Sequence, residues 1–278
     1  MATAATPESH ISFANAKINI GLLITEKRKD GYHTIETVFY PVQLYDVLEI
    51  LPSAGQTTFH ADGLPIPGGG DNLCVKAYQL LAADFNLPAV EMHLLKNIPI
   101  GAGLGGGSSD AAYVLKMLNA MFTLRLSDHQ LAQYAERLGA DCAFFIANKP
   151  VFASGIGTTF EDITLDLSKY VTVIVKPDIH ISTQEAYSSI MPQTPQVDLR
   201  RAIKLPIQEW KYHIVNDFEL GIFQKYPQIE ILKRKLYEKG ALYAAMSGSG
   251  SSVFGIFEER PDLQELEALG KVYYPVDV

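Results

Sequence analysis

Between Pro99 and Ala112 the chain reads PIGAGLGGGSSDAA, with five glycines in the stretch from Gly101 to Gly107. Two serines and an acid follow, and then apolar residues at Ala111, Val114, Leu115, Leu118, Met121 and Phe122, a spacing that predicts a helix. A backbone without Cβ atoms can approach a bulky anion closely. The helix that follows directs its unpaired N–H groups and positive dipole end at the same place. The stretch therefore predicts a polyphosphate cradle. A plain serine-capped connection would not need so many glycines. Gly101, Gly103 and Gly106 also satisfy the G-x-G-x-x-G spacing of a dinucleotide fold. Pro99, however, interrupts the strand that this fold needs before its first glycine, and Ser127-Asp128-His129-Gln130 starts another helix where a strand ending in an acid belongs. No Gly-Lys-Ser or Gly-Lys-Thr occurs in the sequence, which excludes the ordinary P-loop.

A chain of 278 residues with 47% hydrophobic content can bury a full core and is long enough for two domains. Its net charge of −8 argues against nucleic-acid and anionic-membrane partners, which require extended basic surface. A polyphosphate ligand would then depend on backbone amides, a metal and a few placed lysines. Two cysteines, Cys74 and Cys142, suit neither a disulfide framework nor a zinc site. The opening MATAATPESH lacks a basic segment followed by an apolar run, and no later stretch is long enough to span a bilayer, so a soluble, cytoplasmic protein is expected.

Along the chain, Ile11 to Thr25 reads as a strand that carries Asn15, Lys17 and Asn19 on one face, with Asp30-Gly31 as a hairpin signal after it. The apolar neighbours of Lys17 favour an inward-facing cation. Tyr32 and His33 read by default as rim residues. A strand region is expected from Val38 to Leu51, a loop from Ala61 to Gly70, a helix after Asp71-Asn72, and a strand from Val90 to Leu95 that feeds the glycine loop. Ser127 with Gln130 forms a capping box, and that helix stops at Gly139. Asp141 sits at the edge of the apolar run Cys142 to Ile146, and the residues alone read equally as a helix cap and a catalytic acid. Phe152 to Ile163 predicts a hairpin closing a first unit, and Val171 to Val175 a central strand of a second. Ser182-Thr183 should cap a short helix bearing Tyr187. Proline-interrupted Met191 to Pro206 reads as a loop, with helices following at Ile214 to Phe223 and Gln228 to Tyr237. Lys233 to Lys235 reads as a solvated helix face. Ala244 to Phe257 places a second Gly/Ser loop between two strands, and Leu263 to Leu269 with Val272 to Val276 completes the unit.

Six separated stretches resemble the GHMP small-molecule kinases. Pro99 to Ala112 is similar to their phosphate-binding motif and Met246 to Ser252 (MSGSGSS) to their C-terminal glycine motif. AKINIGL with DGYH (Ala16 to Leu22, Asp30 to His33), DNL at Asp71 and LGAD at Leu138 to Asp141 resemble, more narrowly, the members that act on a cytidylyl methylerythritol. The resemblance covers nearly the whole chain. It implies a two-domain α+β GHMP kinase fold, residues 1–160 and 161–278, with the active site in the cleft between the domains. The implied reaction moves the ATP γ-phosphoryl group to the substrate's 2-hydroxyl in the non-mevalonate isoprenoid pathway. Mevalonate- or homoserine-type kinases, and a non-catalytic sensor on the same fold, are the alternatives.

The resemblance further implies a catalytic Asp141 paired with Lys17. ATP would contact Asn72, Pro99, Ile100, Gly101, Ala102, Gly103, Leu104, Gly105, Gly106, Gly107, Ser108 and Ser109, with Ser108 also touching Mg2+. Asn19 would bind the erythritol part, Tyr32 and Tyr187 would sandwich the cytosine with His33 on its edge, and Thr183, Gly248 and Gly250 would complete the substrate contacts. Two positions depart from the family pattern. Ala143 stands where proline commonly follows the acid, and Tyr187 where phenylalanine also occurs.

Overall fold

The computed structural model describes residues 9–66, 72–188 and 190–275. Contacts gather them into two compact units, the first drawn from the described residues of Met1–Ala16, Tyr45–Ile100 and Gly105–Asn148, the second from those of Lys17–Leu44, Gly101–Leu104 and Lys149–Val278. This grouping departs from a single cut at residue 160. Strands β1 (His10–Lys27) and β2 (His33–Pro52) run for 18 and 20 residues. At about 3.3 Å per residue each outruns one core, so each contributes residues to both units. The glycine stretch is likewise shared between them.

In the first unit, the later half of β2 pairs antiparallel with β4 (Val90–Lys96), from Val47 opposite Leu95 to Pro52 opposite Val90, and β3 (Thr58–Gly63) runs parallel to β4 on its other edge. Helix α1 (Leu73–Phe85) begins where the Asn72 side chain accepts the Cys74 N–H at 2.7 Å. Helix α2 (Gly106–Met121) buries Ala111, Val114, Leu115 and Leu118, and packs against α1, α3 (Asp128–Glu136) and α4 (Phe144–Ala147). The capping box is formed: Ser127 Oγ accepts the Gln130 N–H while Gln130 Oε1 accepts the Ser127 N–H. Ala61 to Gly63, expected in a loop, belongs to β3, because pairing with β4 supplies backbone partners that its exposed side chains do not announce. The rest of that expected loop from Pro67 on, and Asp71 with it, lies outside the described residues.

In the second unit, the first half of β2 pairs antiparallel with β5 (Val151–Ser154), which turns into β6 (Thr159–Asp162); the expected hairpin forms, but in this unit and not at the close of the first, because β5 pairs with the half of β2 that belongs here. A four-stranded antiparallel sheet has the order β10-β7-β9-β8, with β7 (Val171–Lys176) between β10 (Lys271–Tyr273) and β9 (Val253–Phe257), and β8 (Tyr243–Met246) on the far edge of β9. The expected strand to Val276 thus ends at Tyr273, Val276 itself lying outside the described residues. Helices α5 (Thr183–Ser188), α6 (Leu199–Ala202), α7 (Ile207–His213), α8 (Phe218–Lys225) and α9 (Pro227–Glu238) accompany this sheet. Ile229, Leu232 and Leu236 of α9 form one buried stripe and share a core with Val173, Val175, Ala244, Val253 and Phe257.

Three local expectations change here. The proline-interrupted stretch holds α6, started by the Asp198 side chain accepting the Arg200 N–H at 2.9 Å, and α7 begins directly after Pro206. The helix expected from Ile214 starts only at Phe218, because Val215 and Asp217 pair through their backbones with Leu22 of β1. Lys233 is no solvated charge: its ammonium lies 2.6 Å from the Glu219 carboxylate and is partly buried. Among the described residues no helix is long and apolar enough to cross a membrane.

Candidate active site

Strand alternation puts Lys17 and Asn19 of β1 on one face. Both are buried, Lys17 to 3% exposure, so the ammonium requires local partners. It donates to Asn19 Oδ1 at 2.6 Å and lies 5.0 Å from the centroid of the Phe39 ring. The amide nitrogen of Asn19 donates to Thr37 Oγ1 at 3.0 Å, and that hydroxyl donates to the Gly21 carbonyl. Asn19 is therefore oriented from both ends.

The first four residues of the glycine stretch, Gly101 to Leu104, are held in the same unit by their carbonyls. Leu104 O accepts the Lys17 N–H at 2.9 Å, Gly103 O the Ser247 hydroxyl at 2.8 Å and Ala102 O the Ser252 N–H at 3.2 Å. Gly103 has φ +77°, and a Cβ there would fall 1.9 Å from Ser247 O. Only glycine permits so close an approach of two backbones. Gly248, of the second loop, in turn lies against the Gly103 backbone and Asn19 Oδ1. Beneath this loop the Asn216 amide donates to Met246 O and Gly248 O, each at 2.8 Å, while Glu219 Oε1 accepts the Met246 N–H at 2.8 Å. Gly250 closes its turn with a hydrogen bond from its N–H to Ser247 O at 3.0 Å.

Tyr187 of α5 has Phe218 edge-on at 4.9 Å and the His33 ring stacked on it, with centroids 4.7 Å apart and planes 20° from parallel. His33, which the resemblance places on the edge of the cytosine, thus has its ring against that of Tyr187. Tyr32 is 62% exposed in the turn before β2, and Thr183 is exposed at the start of α5. Partial burial, and secondarily the Lys27 charge, hold the His33 imidazole below its ordinary pKa.

In the first unit, Gly105 (φ +70°) turns the chain into α2, whose N-terminus carries no side-chain cap. A Cβ at Gly107 would meet nothing within 4 Å, whereas Gly106 is packed on Ile98 and the Lys96 ammonium. An uncapped first turn with open space beside it suits an anion. Below it lies a buried cluster that sequence reading did not anticipate. Lys96 of β4 donates to Asp46 of β2 and, at 2.7 Å, to Asp110 of α2. Asp46 Oδ1 also accepts the N–H groups of Asn97 and Ile98 at 2.6 and 2.8 Å, which ties down the chain entering the Pro99–Ile100 turn. Burial, reinforced by the Asp46 charge, pushes Asp110 up to about 8 even beside the Lys96 ammonium. Burial opposes charge on Lys96, but Asp110 and Asp46 together hold it above the usual lysine range. A lysine ending a strand and an acid just after the first turn of a glycine-led helix were the available signals.

Asp141 stands, half-buried, in the turn that leads into α4, and Asn72 caps α1. Ser108 hydrogen-bonds Cys142, whose thiol burial pushes up to about 11. Ser109 is buried, with no hydrogen-bond partner for its hydroxyl. Among the described residues no group of three or more His, Cys, Asp or Glu side chains is arranged to hold a metal ion.

The models of the GHMP kinases N terminal domain and the GHMP kinases C terminal region match residues 72–149 and 202–274. A protein of Bacteroides fragilis (strain YCH46) named 4-diphosphocytidyl-2-C-methyl-D-erythritol kinase is 55% identical over 264 residues, 93% of this chain and 96% of its own length. One of the same name from Bacteroides thetaiotaomicron is 54% identical, over 92% of this chain and 95% of its own. Among solved structures, the crystal structure of a 4-(cytidine 5'-diphospho)-2C-methyl-D-erythritol kinase superposes with a TM-score of 0.81 at 31% identity, covering 95% of this chain and 98% of its own. The chain belongs to the GHMP kinase family, alongside the 4-diphosphocytidyl-2-C-methyl-D-erythritol kinases that it matches over nearly its whole length.

Proposed function

We propose that this chain transfers the γ-phosphoryl group of ATP to the 2-hydroxyl of 4-diphosphocytidyl-2-C-methyl-D-erythritol, a step of the non-mevalonate route to isoprenoids. The observation that carries this reading is identity of 54–55%, over more than nine-tenths of the chain, to relatives bearing that kinase name. The uncapped N-terminus of α2 and the open space at Gly107 support ATP binding along Asn72 and Pro99 to Ser109. The hydroxyl oxygen bonds to the γ-phosphorus, the bond to the β,γ-bridging oxygen breaks, and ADP leaves. Asp141 holds the attacking hydroxyl by its proton, and Lys17, oriented by Asn19, offsets charge on the transferred group. Ser108 would be the protein contact of a Mg2+ ion bound with the nucleotide, which would supply neutralisation of phosphate charge. Asn19, Thr183, Gly248 and Gly250 contact the acceptor, while Tyr32, His33 and Tyr187 provide ring faces for its cytosine. Two free, buried thiols support a cytoplasmic setting.

Purified protein with radiolabelled ATP and Mg2+ should phosphorylate this acceptor in a panel that includes mevalonate and homoserine. Turnover of either of those without the cytidylyl compound defeats the assignment. Asp141→Asn should keep nucleotide binding and lose most turnover, and full activity in that variant removes Asp141 from the chemistry. Tyr32→Ala should raise KM for the acceptor far more than KM for ATP.

A further inference from the structure

We propose that Ser247 is a positioning residue that couples the two glycine segments, so that nucleotide and phosphoacceptor bind this chain cooperatively. The inference rests on the proposed function, in which Gly101 to Leu104 serve ATP while Gly248 and Asn19 serve the acceptor. Ser247 is fully buried, and its one hydroxyl works in both directions. It donates to Gly103 O at 2.8 Å and accepts the Asn19 N–H at 3.3 Å. Three parts of the chain that are far apart in sequence, β1, the first glycine segment and the second glycine loop, therefore meet at a single side chain.

The contact has no slack. A Cβ at Gly248 would fall 3.2 Å from the Gly103 Cα, and even a methyl group at Gly103 would overlap Ser247 O. The second loop moves as one piece, since the Asn216 amide holds Met246 O and Gly248 O together and Glu219 holds the Met246 N–H. A ligand that shifts Gly101 to Leu104 must then shift Ser247 and the backbone of Asn19 with them, and the second ligand meets a site already brought into place. This is positive coupling, equal in both directions by linkage. A coupling carried by one neutral hydrogen-bonding group corresponds to about a fivefold change in affinity.

The test is calorimetric titration of the intact chain with Mg2+ and a non-hydrolysable ATP analogue, and with the cytidylyl acceptor, each alone and with the other saturating. In the unaltered protein each ligand should bind about fivefold tighter when the other is present. In Ser247→Ala the affinities for single ligands should change less than twofold while the coupling falls to near one. A merely structural serine would weaken both single-ligand affinities and leave their ratio intact. Ser247→Cys, of similar volume but a weaker hydrogen-bonding group, gives the same reading should the alanine variant not fold. Independent binding in the unaltered protein, or full coupling in either variant, overturns the inference. Failure of both ligands to bind at all defeats instead the function on which it rests.

Discussion

Gly103 and Gly107 belong to one glycine run, yet substituting alanine should act on them in opposite ways. At Gly103 the left-handed backbone costs an alanine about 1 kcal/mol or more. Its Cβ would also lie 1.9 Å from Ser247 O, so the carbonyl must retreat by about 1 Å to reach the 3.0 Å below which real Cβ contacts essentially do not occur. That movement stretches the hydrogen bonds from Ser247 to Gly103 O and from Ser252 to Ala102 O. At about 1 kcal/mol each, the total loss for Gly103→Ala comes to about 3 kcal/mol. At Gly107 the backbone is helical and the added methyl meets only open space. Alanine there should leave stability unchanged or raise it by up to about 1 kcal/mol through helix propensity. The same methyl would stand where the phosphates approach, and should raise KM for ATP about tenfold. Urea unfolding of both variants, with ATP saturation curves for Gly107→Ala, separates the two effects. A loss below about 1 kcal/mol in Gly103→Ala refutes the reasoning from backbone contact. An unchanged KM for ATP in Gly107→Ala means that no phosphate passes that face of α2.

Lys96→Met leaves Asp46 and Asp110 buried without their cation and should cost about 3–5 kcal/mol in urea unfolding; a cost under about 1 kcal/mol would mean that the cluster does not hold β4 to α2. Burial raises both thiols, Cys142 to about 11 and Cys74 well above the ordinary cysteine value, so neither should react with a thiol reagent at pH 8 until the chain is unfolded. Fast labelling of the native protein would contradict that environment. His33 is depressed in the folded state, so between its folded pKa and about 6.5 the unfolded chain binds more protons and stability rises with pH. Its imidazole resonances should titrate with a midpoint below 6.5, and a midpoint above that would contradict stacking in a partly buried, cation-flanked position.

The sequence by itself determined what depends on near neighbours. The glycine run leading into α2, the Ser127 capping box, the β-branched β7 and the pairing of β5 with β6 rest on spacing or capping within a few residues, and these form as read. Residue motifs likewise carried the family, because AKIN, DGYH and LGAD keep their order along the chain. Tertiary structure decided the rest. β3 forms through pairing with β4, Ile214 to Asp217 stay out of a helix through Leu22, and Tyr187 meets His33. Lys96 finds Asp46 across 50 positions of sequence, Ser247 reaches Gly103 across 144, and Asn19 reaches Ser247 across 228. Periodicity and propensity describe what a segment does with its own backbone. Which distant donor satisfies a buried ammonium or a bare carbonyl is settled only when the chain has folded and water has left, and that is when these residues acquire their partners.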